Sequence, residues 1–216
     1  MTAAAAAAGQ HSDHHERDPE AHARSLPVTV GAVIMVVAAT ELEAALVEPG
    51  RARVVVCGIG PVEAALATTR ALAVETPEAV LQIGIAGART LPNASIAVGT
   101  EAVYCDVIDP AARIPRVERV TPDARLLAAA RRALPDAHAL AIGTTGHVGG
   151  GRDCEVEAME GFAVLRAAAV AGVPALELRA VSNAVEETDR GAWRIDEALE
   201  ALRAALPPVL AELERA

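Results

Sequence analysis

The 216 residues, 52% of them hydrophobic, suffice for one domain with a substantial core and exclude a disordered chain. A formal net charge of −10, with no Lys/Arg stripe to offset it, argues against a nucleic-acid backbone as partner. Tyr104, Phe162 and Trp193 are the whole aromatic set, so the core must be aliphatic and few places can offer a ring to a ligand.

Residues 1–27 run from an Ala tract through His and charge to Pro, with no apolar periodicity. They read as a disordered tail ahead of a single domain over residues 28–216. Without a fold to position them, His11, His14, His15 and His22 read as solvated side chains and not as metal ligands. The apolar run at 28–39 imitates a signal segment but lacks a compact basic start and is too short to span a bilayer. A buried first strand is expected there, with no membrane partner. Cys57, Cys105 and Cys154 are scattered and odd in number, which makes neither a disulfide framework nor a metal-ligand spacing. A reduced, cytoplasmic setting is the simplest expectation.

Short aliphatic runs then alternate with helical stretches. "RARVVVCGIG" predicts strand two, and "PVEAALATTRALAVET" a helix with Pro61 in its first turn, where the missing N–H does no harm. "AVLQIGIAGA" predicts strand three, "SIAVGTEAVYCDV" an extended segment, and the stretch to residue 120 a loop. "TPDARLLAAARRAL" predicts a helix capped by Thr121 with Pro122 at its first position. "AHALAIGTTGHVGGG" is a strand with a Gly-rich end, "EGFAVLRAAAVAG" a helix closed by Gly172, and "VPALELRAVSN" a further strand. The last helix begins in "GAWRIDEALEALRAAL" and resumes after a break at Pro207-Pro208. Val/Ile/Leu-rich strands without strict alternation, interleaved with helices, predict a three-layer α/β/α domain whose central sheet is covered on both faces.

Ligands in such sheets sit beyond the carboxyl ends of strands. Polar and Gly-rich clusters fall at those ends, at 40–43, 57–60, 84–87, 144–151 and 182–190. "CGIGPVEAA" has Gly58 and Gly60 but no third glycine, so it reads as a tight turn and not as a phosphate cradle. In "EAMEGFAV", Glu160 opens an aliphatic helix. It either caps that helix or accepts hydrogen bonds from a diol such as a ribose 2′,3′ pair, with Met159 as an apolar wall.

Four pieces, "GIAGA", "SIAVGTEAVYCDV", "VEAMEGFAV" and "RAVSNAVEE", stand in order and spacing similar to the nucleoside phosphorylase/nucleosidase superfamily. Within it they most resemble the 5′-methylthioadenosine/S-adenosylhomocysteine nucleosidases and the related futalosine hydrolases. The resemblance covers most of residues 30–215. It implies a nucleoside phosphorylase-like fold with a mixed central sheet and cleavage of an N-glycosidic bond, without cofactor or metal. Glu43 of "ATELEA" takes the position of the water-activating carboxylate, with Glu41 as the competing choice and a solvent-facing helix residue as the plain alternative for Glu43. Glu160 would bind the ribose hydroxyls, with Met159 against the sugar. Asn183 would face N7 of the base, Ser182 would fix that loop, and Ala86 and Gly87 complete the substrate-binding set.

Phosphorylases of the superfamily carry an Arg for phosphate where this chain has Gln82, a poor anchor beside a bidentate guanidinium; Arg89 lies just beyond. Water is therefore the expected nucleophile. Adenosine-type nucleosidases carry Asp where this chain has Asn183. An amide can turn its NH₂ to N7 and O6 of a 6-oxopurine, where a carboxylate would set acceptor against acceptor. The resemblance thus implies a futalosine-type nucleoside that releases hypoxanthine for menaquinone synthesis, with Arg113, Arg116, Arg152 and Arg190 as candidates for its 5′ carboxylate. Trp193 walls the pocket or anchors the last helix. An adenosine-type nucleosidase, a purine nucleoside phosphorylase and a non-catalytic nucleoside-binding domain are the competing readings, and a homo-oligomer is expected by resemblance.

Overall fold

The computed structural model describes residues 33–108, 115–151 and 153–216. The expected tail with its histidines lies outside them, as do Arg113 and Arg152. The first strand, β1 (Ile34–Ala38), is buried along its whole length. It is followed by α1 (Glu41–Ala44), β2 (Arg53–Val56) and α2 (Pro61–Val74), then β3 (Ala79–Ala88) and β4 (Ile96–Tyr104). β5 (Arg119–Val120) is a two-residue strand in the stretch expected as loop, and α3 (Ala124–Ala133) and β6 (His138–Thr144) come next. A short strand, β7 (Val156–Ala158), precedes α4 (Gly161–Ala171), β8 (Ala175–Ala184) and α5 (Ile195–Leu213).

Among the described residues, eight strands form one mixed sheet in the order β2-β1-β3-β7-β6-β4-β5, with β8 paired to both β3 and β4. That double pairing closes β3, β8, β4, β6 and β7 into a ring. Each ring strand sends a small or branched residue to one shared cluster, including Ala86, Ala97, Ile142, Val156 and Val181, which fills the ring as side chains fill a small barrel. Outside it, α3 and α5 cover one face with an aliphatic core, and α2 and α4 cover the other. The three-layer α/β/α arrangement with a mixed sheet is therefore present. Two of the three aromatic residues, Tyr104 and Phe162, stack on each other at 5.1 Å in the α4 layer.

Two local expectations are corrected. The cap of α3 is Asp123 and not Thr121: its carboxylate accepts from Arg125 N at 2.8 Å and Leu126 N at 3.2 Å, pulling the helix start past Pro122. The last helix runs through Pro207 and Pro208 without a break. Both prolines lie on the exposed face, as do Arg203 and Ala204, whose carbonyls lose their helical donors and can turn to water. Leu206, Val209, Leu210 and Leu213 on the buried face hold the helix to the sheet.

Candidate active site

The strand ends converge on a cavity of about 250 Å³. Each polar cluster picked out along the chain contributes to its wall, and Glu43, Ala86, Gly87, Met159, Glu160, Ser182 and Asn183 all line it.

Glu43 reaches the cavity because α1 opens with a capping box. Thr40 Oγ1 accepts from Glu43 N at 3.3 Å, and Glu43 Oε2 accepts from Thr40 N at 3.0 Å. The side chain is thereby folded back onto the end of β1 and is buried, not solvent-facing. Its Oε1 accepts from Ile85 N at 3.0 Å. Glu41, the competing choice, is exposed and does not line the cavity.

Glu160 sits at the N-cap of α4 but makes no side-chain capping bond; Thr144 Oγ1 accepts from Phe162 N at 2.8 Å instead. The Glu160 carboxylate is left to accept from Gly60 N at 3.0 Å and Arg179 Nη2 at 3.2 Å. Gly60, at φ 97°, holds the turn before α2 so that its N–H meets Glu160, which is how the "CGIG" turn serves the site. Arg179 is buried between two acids, its Nε donating to Glu177 Oε1 at 2.9 Å. Burial works against its charge, but Glu177, Glu160 and Glu43 outweigh that and hold the guanidinium above its ordinary value. Burial pushes the Glu177 carboxyl up, against the pull of Arg179. Two glycines make room for this layer. A Cβ on Gly84 would lie 2.4 Å from Arg179 Nη1 and 2.8 Å from Glu43 Oε1, and one on Gly161 would lie 2.1–2.2 Å from the Glu177 carboxylate.

Asn183 is aimed by a bulge. β3 pairs Ala86 with Val181 and Gly87 with Asn183, so Ser182 is an extra residue in β8. Ser182 Oγ shares its proton between Asn183 Oδ1 at 2.8 Å and Ala86 O at 3.2 Å. Asn183 Nδ2 donates to Ala184 O at 2.9 Å, and its second proton remains for the cavity. Beyond the bulge, Arg194 N donates to Ser182 O at 2.7 Å. The intervening turn carries Arg190 and Trp193, and the Arg190 guanidinium lies 5.6 Å from the centre of the Trp193 ring. Both line the cavity, and Trp193 is tied by its indole N–H to Glu187 O at 3.1 Å.

A family profile described as "Phosphorylase superfamily" matches residues 34–213. The chain belongs to the phosphorylase superfamily. A futalosine hydrolase from Streptomyces coelicolor is 67% identical over 57 residues, which are 25% of this chain and 24% of that protein. The chain thus matches about a quarter of the length of that curated relative. In fold it is similar to a 5′-methylthioadenosine/S-adenosylhomocysteine nucleosidase from Colwellia psychrerythraea in complex with adenine, at TM-score 0.74 and 21% identity over 85% of this chain and 96% of that one. It is equally similar to native futalosine hydrolase of Helicobacter pylori, at TM-score 0.74 and 18% identity over 84% of this chain and 98% of that one.

Against this superfamily pattern, Gln82 is fully buried and lies away from the cavity. A phosphate in the cavity would therefore not meet Gln82. Arg116 pairs with Glu118 and does not line the cavity, which leaves Arg190 among the described candidates for a 5′ carboxylate. Two charged lining residues went unassigned from sequence: Arg179, quoted in "RAVSN" without a role, and Glu157, quoted in "VEAMEGFAV" without one. Glu157 Oε1 accepts from Gly149 N at 2.6 Å and Oε2 from Gly151 N at 2.7 Å. The glycines of "GHVGGG" thus wrap a carboxylate. Among the described residues, no group of His, Cys, Asp and Glu is arranged to hold a metal ion.

Proposed function

We infer that this chain is an N-glycosyl hydrolase acting on futalosine, releasing hypoxanthine and dehypoxanthine futalosine in menaquinone biosynthesis, without a cofactor. The observation that carries this reading is the orientation of the Asn183 amide: Ala184 O takes one Nδ2 proton and Ser182 engages Oδ1, so the remaining N–H of Nδ2 is what a bound base meets. That donor suits N7 and O6 of a 6-oxopurine. The match to a futalosine hydrolase over 57 residues supports the same substrate.

In this reading the C1′–N9 bond breaks while water adds at C1′. Glu43 takes a proton from the water, and the electron pair of the bond leaves with the purine, where Asn183 Nδ2 hydrogen-bonds the developing charge. Glu160 accepts from the ribose hydroxyls, with Met159 against the sugar, and Arg179 holds the Glu160 carboxylate in place. Arg190 and Trp193 flank the 5′ side. Water is favoured over phosphate because the cavity wall carries Glu43, Glu157 and Glu160, while Arg179 is already paired with two carboxylates. A phosphate dianion there would meet like charge.

The setting in this reading is the cytoplasm, in keeping with three cysteines outside any disulfide. The functional unit is a homo-oligomer: Ile59, Val62 and Leu66 form an apolar stripe at the start of α2, each more than half exposed, beside the cavity that Ile59 and Leu42 line. Light scattering on the purified chain tests this, and a monomer refutes it.

Incubation with futalosine, methylthioadenosine and inosine, with and without phosphate, tests the reaction. Hypoxanthine should appear from futalosine at a rate indifferent to phosphate. Adenine released from methylthioadenosine at a comparable rate overturns the base assignment, and strict dependence on phosphate overturns hydrolysis.

A further inference from the structure

Glu157 has no part in the reaction as drawn, yet it is placed opposite the residue that reads the base. Gly87 of β3 is the register partner of Glu157 on one side and of Asn183 on the other. With no side chain of its own, Gly87 leaves the space between them open: a Cβ there would stand 3.1 Å from Asn183 Nδ2 and 3.6 Å from Glu157 Cγ. An amide donor and a carboxylate acceptor therefore flank one point of the cavity wall, and both are nine-tenths or more buried. The amides of Gly149 and Gly151 each fill one site on the Glu157 oxygens. A carboxylate offers about four, so acceptor capacity remains for a ligand.

The edge of a 6-oxopurine presents O6, an acceptor, beside N1–H, a donor. A 6-aminopurine reverses both. Asn183 by itself addresses N7 and O6 and leaves N1 unread. The geometry points to Glu157 as the acceptor for N1–H, so that Asn183 and Glu157 together read the donor–acceptor order of the base. Adenine would place the lone pair of N1 against a carboxylate, a mismatch that binding sites reject strongly. This inference rests on the reading of the cavity as a nucleosidase site and adds a second specificity-determining residue to it.

Two measurements test it. In the first, hypoxanthine and 1-methylhypoxanthine are titrated calorimetrically into the unmodified protein. Methylation of N1 removes the donor and should weaken binding about 100-fold or more. In the second, kcat/KM for futalosine and for its 6-amino analogue is compared between the unmodified protein and Glu157→Gln. The Gln NH₂ can donate to N1 of the 6-amino base, so the ratio should move about 100-fold toward the 6-amino substrate. Equal binding of the two bases overturns the role of Glu157, whether or not the variant folds, and so does an unchanged ratio in a folded variant. Futalosine turnover with equal base binding refutes Glu157 alone. Discriminating base binding without futalosine turnover refutes the substrate and leaves Glu157 standing.

Discussion

Asn183 Nδ2 donates to Ala184 O at 2.9 Å, and because a carbonyl oxygen only accepts, this contact, with Ser182 Oγ 2.8 Å from Oδ1, fixes the orientation of the amide. Asn183→Asp replaces a donor by an acceptor at the place where O6 would bind. Preference is expected to move from 6-oxopurine toward 6-aminopurine nucleosides by about 10²-fold or more in kcat/KM. Chromatography of released hypoxanthine and adenine reads it, and an unchanged product ratio contradicts it.

Glu43→Gln keeps the shape of the side chain and removes its basicity. A fall in kcat of about 10²–10⁴-fold is expected, with hypoxanthine affinity unchanged by calorimetry. Gln also serves at this place in a capping box, but its NH₂ must face the N–H of either Thr40 or Ile85, and the buried donor left unpaired costs about 1–3 kcal/mol that thermal unfolding would register. Full turnover in the variant would leave Glu43 as a capping residue only.

Gly84 and Gly161 keep space for charged groups, so alanine should be felt at both. In Gly84→Ala the new Cβ displaces Arg179 and Glu43 together, and a shift of about 1 Å in such groups costs on the order of 10² in rate. In Gly161→Ala the Glu177 carboxylate must leave Arg179, and breaking a buried pair costs about 3–5 kcal/mol. Steady-state kinetics read the first and urea unfolding the second. Wild-type behaviour in both would show that the layer has slack.

Burial, then the charge of Glu160, pushes the Cys57 thiol up to about 12. Because the folded value is raised, the stability tied to the neutral thiol is fully present below the ordinary thiol value and is lost as pH climbs toward about 12. Iodoacetamide attacks the thiolate. At pH 8 the native protein should be alkylated first at the partly exposed Cys154, and at Cys57 only after unfolding. Peptide mass mapping decides between this and early labelling of Cys57.

The elements most legible in the sequence were those set by contiguous burial and by punctuation. β3 has the bounds of its apolar run because it is buried almost throughout, and α4 stops at Gly172, which adopts φ 71°. β7 was illegible because three residues carry no period, and its place depends on pairing with β3 and β6, far away in the chain. The prolines of α5 misled because local propensity was overruled by packing of the opposite face. The buried Glu177–Arg179 pair did leave a trace: residues two apart in a strand share a face, so the "ELR" in an apolar run places an acid and a base side by side. Glu157 was one of several acids between residues 153 and 160, and what sets it apart is its place beside Gly87, across from Asn183, which only the fold supplies.

The bond from Arg194 N to Ser182 O returns the chain to the strand it has just left. Asn183 and Ala184 still pair with β3. Past Val185, whose N–H donates to Ala88 O, the stretch to Trp193 is an excursion that leaves and rejoins the end of β8, so its length and side chains can change without altering the register of that strand. The end of the pocket lined by Asn183 is built into the sheet, and the end lined by Arg190 and Trp193 hangs from this loop. Exchanging the loop from Glu186 to Trp193, past Asn183 and Ala184, is thus a way to change one end of the pocket while Asn183 keeps its place in the sheet.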